Sequence, residues 1–363
     1  MKGQGTADGP RTQQGHGSCS RNVVRAKARI PAMTGAREAH AAAMSGFLPC
    51  HWLAQRHLQT LWPALMRRPT PLAVRWEAWP TPDGDVVDLA WAGPATGRIA
   101  IVLHGLDGNL DSHYARPLLR ALVARGWQAV LLHARGTSGH PNRLARSYHS
   151  GDTGDIAALA AHLAPRGDLA AVGISVGGNQ LLKWMGEAGP TCPLVAAAAA
   201  GVPYDLAACN TALSHGFSRI YQSHLVKGLV RAYRAKAPLL DVAAEEWRHF
   251  TTFRRLDARL TAPLNGFASV DDYYAKAASR PWISRITVPT HLIHADDDPF
   301  VPLESLPTDL PSCVTLERHP HGGHVGFVAG PWWPRPWLEE RLATVLTAAA
   351  DCPRRDSPRC QAP

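Results

Sequence analysis

A serine stands in the run Gly173-Ile174-Ser175-Val176-Gly177, between a small apolar stretch, Leu169-Ala170-Ala171-Val172, and a helix-like stretch, Gly178 to Met185. This is the strand–turn–helix setting of a nucleophile elbow. Residues flanking the serine must be nearly free of side chain there, and the hydroxyl is lifted clear of the backbone at a helix N-terminus. A serine hydroxyl is a weak nucleophile near neutral pH, so it needs a base, and the base needs an orienting carboxylate. In the chain order Ser, acid, His, candidates follow in Asp296-Asp297-Asp298-Pro299-Phe300-Val301-Pro302 and His321-Gly322-Gly323-His324-Val325-Gly326-Phe327. Asp298 is favoured because the carboxylate should lie just past a strand end, with Asp297 as the alternative. His324 is favoured over His319 and His321, since Gly322 and Gly323 leave its backbone free to swing. Taken alone, the aspartates would read as a turn and helix cap. The histidines lack the acidic spacing of a metal site, so no metal is expected.

Acyl chemistry also needs donors for a developing oxyanion. The run Ile99 to Leu103 ends in His104-Gly105-Leu106-Asp107-Gly108, and such a step lets the Leu106 N–H face the tetrahedral oxygen. The Val176 N–H is the second candidate donor. Each donor of this kind is typically worth about 3 kcal/mol of transition-state stabilisation.

The elements that must position these groups alternate. Strands are expected at Arg98–Leu103, Gln128–His133, Leu169–Ile174, 194–200 and Thr290–His294. Helices are expected at His113–Arg125 (ended by Gly126), Thr153–Leu163, 178–187 and Arg335–Ala349. Short apolar strands separated by helices predict an α/β fold with a mostly parallel central sheet flanked by helices. Residues 205–274 break the alternation. They are helix-prone and dotted with Phe217, Tyr221, Tyr233, Trp247, Phe250 and Phe253. They follow the strand after the serine, so they are expected to form a helical cap over the carboxyl ends of the strands. The main domain is placed at 46–350, with a disordered extension over 1–45 and a frayed tail over 351–363.

Composition narrows the function classes. Of the formal charge of +9, the first 45 residues carry +5, from seven Lys/Arg against two Asp/Glu. The remainder is near balance, so no nucleic-acid partner is expected, while the basic extension leaves peripheral contact with an anionic surface open. Seven scattered cysteines without a C-x-x-C pair suggest reduced thiols and a cytoplasmic location. The N-terminus is Arg-rich but carries no apolar core of a secretory signal, and no transmembrane segment is expected.

With these residues in hand, the chain resembles the YheT-like branch of the α/β-hydrolases over about Phe47 to Leu346. The likeness rests on Phe47-Leu48-Pro49 with His57-Leu58-Gln59-Thr60-Leu61-Trp62-Pro63, on Asp83-Gly84-Asp85, and on His104-Gly105-Leu106-Asp107-Gly108. It continues through Arg135-Gly136-Thr137-Ser138-Gly139, Ser147-Tyr148-His149-Ser150-Gly151-Asp152-Thr153, Pro203-Tyr204-Asp205-Leu206 and Gly322-Gly323-His324. Thr137 stands where Cys is usual in the family, and His140 where an acidic residue is usual. The resemblance implies an α/β-hydrolase fold, Ser175, Asp298 and His324 as the charge-relay residues, and hydrolysis of a small-molecule carboxylic ester. No cofactor is expected. Two rival readings are acyl transfer from the same acyl-enzyme to an alcohol or thiol, and a non-catalytic binding module on a hydrolase scaffold.

Overall fold

The computed structural model describes residues 46–67 and 70–352. The expectations for residues 1–45 and 353–363 fall outside them. Helix α1 (Arg56–Met66) precedes the strands β1 (Arg75–Pro80), β2 (Val86–Ala92) and β3 (Arg98–Leu103). Then come α2 (Ala115–Val123), β4 (Gln128–Leu132), α3 (Gly154–Leu163), β5 (Asp168–Ile174), α4 (Val176–Ala188) and β6 (Leu194–Ala200). A helical insertion follows, with α5 (Leu206–Leu213), α6 (Ser218–Arg234), a run from Phe253 to Leu264 and α7 (Val270–Ala277). The chain closes with β7 (Thr290–Ala295), β8 (Val314–His319) and α8 (Leu338–Asp351).

Eight strands form one sheet in the order β1-β2-β4-β3-β5-β6-β7-β8. β2 runs antiparallel to both β1 and β4, and every pairing from β4 onward is parallel. Alternation along the strands divides the core. Ile99, Ile101 and Leu103 of β3 face one cluster with Leu159 of α3 and Leu181 and Met185 of α4. Ala100 and Val102 face the other, with Leu118 and Leu122 of α2 and Leu342 and Leu346 of α8. A parallel sheet covered on both faces leaves only the loops at its strand ends free for chemistry. The order reverses around β3: the chain passes from β3 to β4 on one side, then returns to β5 on the other. The crevice at the carboxyl ends of β3 and β5 is therefore the topological switch point where ligands bind in such sheets.

Several expected boundaries shift. The helix expected over His113–Arg125 is two residues shorter at each end, at Ala115–Val123. The last helix starts at Leu338 rather than Arg335, because Arg335–Pro336 pairs with Val328–Ala329 in a two-stranded ribbon and Pro336 disfavours helical backbone at the residue before it. That helix also runs on to Asp351, one residue into the expected tail, where Arg98 Nη2 pairs with Asp351 at 2.7 Å. The helix after the serine begins at Val176, not 178. Among the described residues no helix is long and apolar enough to cross a membrane.

A buried ionic cluster ties the loop at the carboxyl end of β4 to the β1–β2 turn and the first turn of α3. All five N–H donors of Arg135, just past β4, are used on Asp83, Asp85 and Asp155 at 2.7–3.1 Å. The Arg135 side chain is 1% exposed and that of Asp85 0%. Asp85 also accepts from Asn142 Nδ2 and the Arg143 N–H. Removing one partner of a buried ion pair leaves the other charge uncompensated, which typically costs about 3–5 kcal/mol. Arg135→Met is expected to lose that much in urea unfolding. A loss below about 1 kcal/mol, the range of an exposed pair, would contradict the bracing role.

Candidate active site

The serine turn is held by contact, not by sequence flexibility. Ser175 has φ +52° and ψ −120°, a strained conformation for a residue with a side chain. Its N–H donates to Ala200 O on β6 at 2.8 Å, and its carbonyl accepts the Asn179 N–H at 3.1 Å, starting α4. A Cβ at Gly173 would meet Gly178 Cα at 2.5 Å, and one at Gly177 would meet the Leu103 and His104 carbonyl oxygens at 2.5 Å. Only glycine lets the turn pack this closely against β3.

The three expected side chains lie in one hydrogen-bonded series. His324 Nε2 is 3.0 Å from Ser175 Oγ, and His324 Nδ1 is 2.9 Å from Asp298 Oδ2. A carboxylate only accepts, so the Nδ1–H donates to Asp298 and Nε2 accepts the serine proton. Asp298 Oδ1 accepts the Phe300 and Val301 N–H groups at 2.7 and 3.2 Å, which fixes the carboxylate plane. The Phe300 ring stacks on His324 at 4.0 Å and 13°, limiting rotation of the imidazole.

The neighbouring candidates have other employment. Asp297 accepts the Gly323 N–H at 2.9 Å and meets His321 Nδ1 at 3.2 Å, while Asp296 pairs with Arg318. His319 is bound to Glu317 and ringed by Phe47, Phe327 and Trp337. Gly322 and Gly323 supply the positive φ, +153° and +60°, that leads the chain to His324, but the segment is packed in place rather than free to swing. A Cβ at Gly322 would press on Phe327, and one at Gly323 would come within 2.6 Å of Arg56 O, so both serve close packing.

Helix α1 holds that loop, a role that reading the residues did not assign. Thr60 Oγ1 accepts the His324 N–H at 2.9 Å. The Gln59 side chain donates to Val328 O and accepts the Val328 N–H, at 3.1 and 2.7 Å. The only sequence signal was the run His57 to Pro63, whose part in the site is invisible because its partners lie some 265 residues downstream.

The loop after β3 is pinned on both sides of Leu106. Gly105 O accepts from His104 Nδ1 at 2.7 Å and from the Gly108 N–H at 3.0 Å. In a trans peptide the next N–H points the opposite way, so Leu106 N–H is turned away from those donors. The flanking N–H groups are taken: Gly105 donates to Tyr114 Oη and Asp107 to Tyr148 Oη, both at 2.8 Å. Burial lowers His104 to about 4, against a smaller upward pull from Gly105 O. The ring is therefore neutral, and its Nε2 accepts the Ala134 N–H at 2.9 Å. Thr137, at the position where the family usually has Cys, places Oγ1 3.1 Å from that nitrogen.

Asp107, at φ +55°, seats its carboxylate against Gly228 of α6, where an added Cβ would overlap Oδ2. Gly228→Ala is expected to push the loop aside and lower kcat about 10²-fold, the scale of one lost oxyanion donor, with circular dichroism unchanged. Steady-state kinetics read this directly; an unaltered kcat would mean the loop does not depend on the seat.

Gly105, Leu106, Ser175, Val176 and His324 line one cavity of about 190 Å³. Its other wall comes from the helical insertion, including Leu206, Leu213, Leu225, Leu229, Phe253 and Asp257.

An eight-stranded sheet with a serine elbow, a strand-end aspartate and a late histidine defines an α/β hydrolase, and the family described as alpha/beta hydrolase fold matches residues 101–331. Within it, the chain belongs to the YheT-like branch. It is 38% identical over 315 residues to "Putative esterase YheT" of Escherichia coli K12, covering 83% of this chain and 93% of that protein. It is 27% identical to "Phospholipase ABHD3" of Mus musculus, covering 80% and 74%. Among solved structures, the esterase Pf2001 of Pyrococcus furiosus shares the fold at TM-score 0.50 and 15% identity, over 76% of this chain and 93% of that one.

Proposed function

We propose that this protein is a serine hydrolase of carboxylic esters, short-chain or lipid-like, acting through an acyl-enzyme. The observation that carries the reading is the unbroken series Ser175 Oγ, His324 Nε2, His324 Nδ1, Asp298 Oδ2, with links of 3.0 and 2.9 Å. Ser175 Oγ attacks the acyl carbon while its proton passes to His324 Nε2, and Asp298 stabilises the imidazolium. The Leu106 and Val176 N–H groups receive the oxyanion. Collapse expels the alcohol, protonated by His324. Water then gives His324 a proton, attacks the acyl carbon, and the acid leaves with Ser175 restored.

The insertion acts as a cap, and its Leu and Phe side chains favour an apolar acyl or alkyl group. The names of the relatives, an esterase and a phospholipase, agree with ester chemistry. The test is a fluorophosphonate probe followed by mass spectrometry, with a panel of p-nitrophenyl esters graded in acyl length. An adduct on Ser175 and cleavage of at least one ester are expected. Absence of both would refute the reading.

A further inference from the structure

The cavity beside Ser175 is walled largely by leucine, phenylalanine and valine, yet one buried carboxyl interrupts that lining. Asp257 opens a π-helical segment, Asp257–Thr261, inside the helical insertion. Such segments are rare, and they recur at functional sites because they redirect side chains out of the helical repeat. Asp257 is 7% exposed and lines the same cavity as Ser175 and His324.

Its partners leave it underused. Tyr274 Oη donates to Oδ2 at 2.9 Å, and the Thr261 hydroxyl supplies a further bond. Among the described residues, no Lys, Arg or His forms an ion pair with it. A carboxylate offers roughly four acceptor sites, so capacity remains. Burial pushes the group up to about 6, against the downward pull of Thr261 and Tyr274. No counter-charge among the described residues stands beside it, and it is flanked by the phenols of Tyr233, Tyr273 and Tyr274. Holding the Tyr274 hydroxyl would need only a neutral acceptor, whereas a bare buried carboxylate is costly unless something donates to it. A second unmet acceptor lies in the same lining: Asn210 Oδ1 is buried and has no hydrogen-bond partner.

We propose that Asp257 is the polar anchor of the substrate pocket, accepting a hydrogen bond from a hydroxyl or ammonium group that the ester carries away from its scissile bond. The substrates are then amphipathic esters with a donor group, not plain alkyl esters. This rests on the ester-hydrolase reading above. A pocket built to bond a donor strongly rejects the analogue that lacks it, because the buried acceptor is left unpaired.

The experiment uses two ester series of graded length, one varied at the acyl terminus and one at the alcohol terminus. Each member is made with a methyl, hydroxyl or ammonium end. In at least one series the wild-type enzyme is expected to favour a donor-bearing ester over its methyl counterpart by more than about tenfold in kcat/KM. Asp257→Leu should reduce that ratio to about twofold or less, with Ser175 still labelled by the fluorophosphonate as the sign that the site is assembled. A purely structural role would lower all esters alike and leave the ratio unchanged. Should the leucine variant not fold, Asp257→Asn serves. Its amide oxygen still accepts from a hydroxyl, but the advantage of ammonium over hydroxyl should fall about tenfold with the charge. An unchanged ratio in either variant, or no donor preference in the wild type, overturns the anchor while leaving the hydrolase reading intact. Failure of Ser175 to label, with no ester cleaved, overturns both.

Discussion

Ser175→Ala is expected to abolish ester cleavage and covalent labelling by a fluorophosphonate, with a kcat loss of about 10⁶-fold, the scale seen when the nucleophile of a serine protease is removed. The fold should survive. The two bonds that hold the turn, Ser175 N–H to Ala200 O and Asn179 N–H to Ser175 O, are backbone bonds that alanine keeps. Alanine carries the same Cβ, so it meets the same strain at φ +52° and no new contact. What disappears is the oxygen 3.0 Å from His324 Nε2. Initial-rate assays and mass spectrometry read the result, and wild-type turnover in the variant would end the case for this serine.

The second large effect belongs to Asp298→Asn, expected to lower kcat about 10⁴-fold by analogy with the same change in a serine-protease triad. The geometry says why. Asp298 Oδ1 accepts two backbone N–H groups, from Phe300 and Val301, while Oδ2 accepts from His324. An asparagine keeps its oxygen toward the two N–H groups, which turns its NH₂ toward His324 Nδ1. The imidazole must then accept at Nδ1 and carry its proton on Nε2, where it can no longer take one from Ser175. Asp297→Asn is the control. Its amide oxygen can still accept the Gly323 N–H, and its other contact is with a half-exposed His321, so a loss within about tenfold is expected. Equal mild losses in both variants would remove Asp298 from its role.

Much of the architecture was legible because its signals are local. The apolar runs of β3, β5 and β6 are continuous, as strands buried on both faces must be, and they fall within one residue of where the pattern puts them. β1, β2 and β8 were not assigned. β1, with Arg75, Glu77 and an exposed Trp76, lies at the antiparallel edge and keeps one side in solvent. β8 alternates Val314, Leu316 and Arg318 with Thr315, Glu317 and His319. Glu317, buried, is bonded by His291, His319 and Arg341 from three separate segments. No short window of sequence reveals that a glutamate is satisfied in this way. The reason for Gly322 and Gly323 was incomplete: both use the positive φ that glycine allows, at +153° and +60°, but both are also crowded, by Phe327 and by α1.

Read alone, the chain determined the chemistry on offer: a serine between glycines after an apolar strand, a strand-end aspartate, a late histidine and a His-Gly step, in an order that an alternating α/β sheet can bring together. Those features are short-range, and physical chemistry restricts them residue by residue. Tertiary structure decided what the pattern could only rank or could not see. It set Asp298, the favoured candidate, and not Asp297 against His324, gave α1 custody of the His324 loop, set Asp107 against Gly228, and sank Asp257 into the pocket wall. Each of these is a contact between segments far apart in sequence, and the free energy of such a contact depends on burial and distance, which no local pattern encodes.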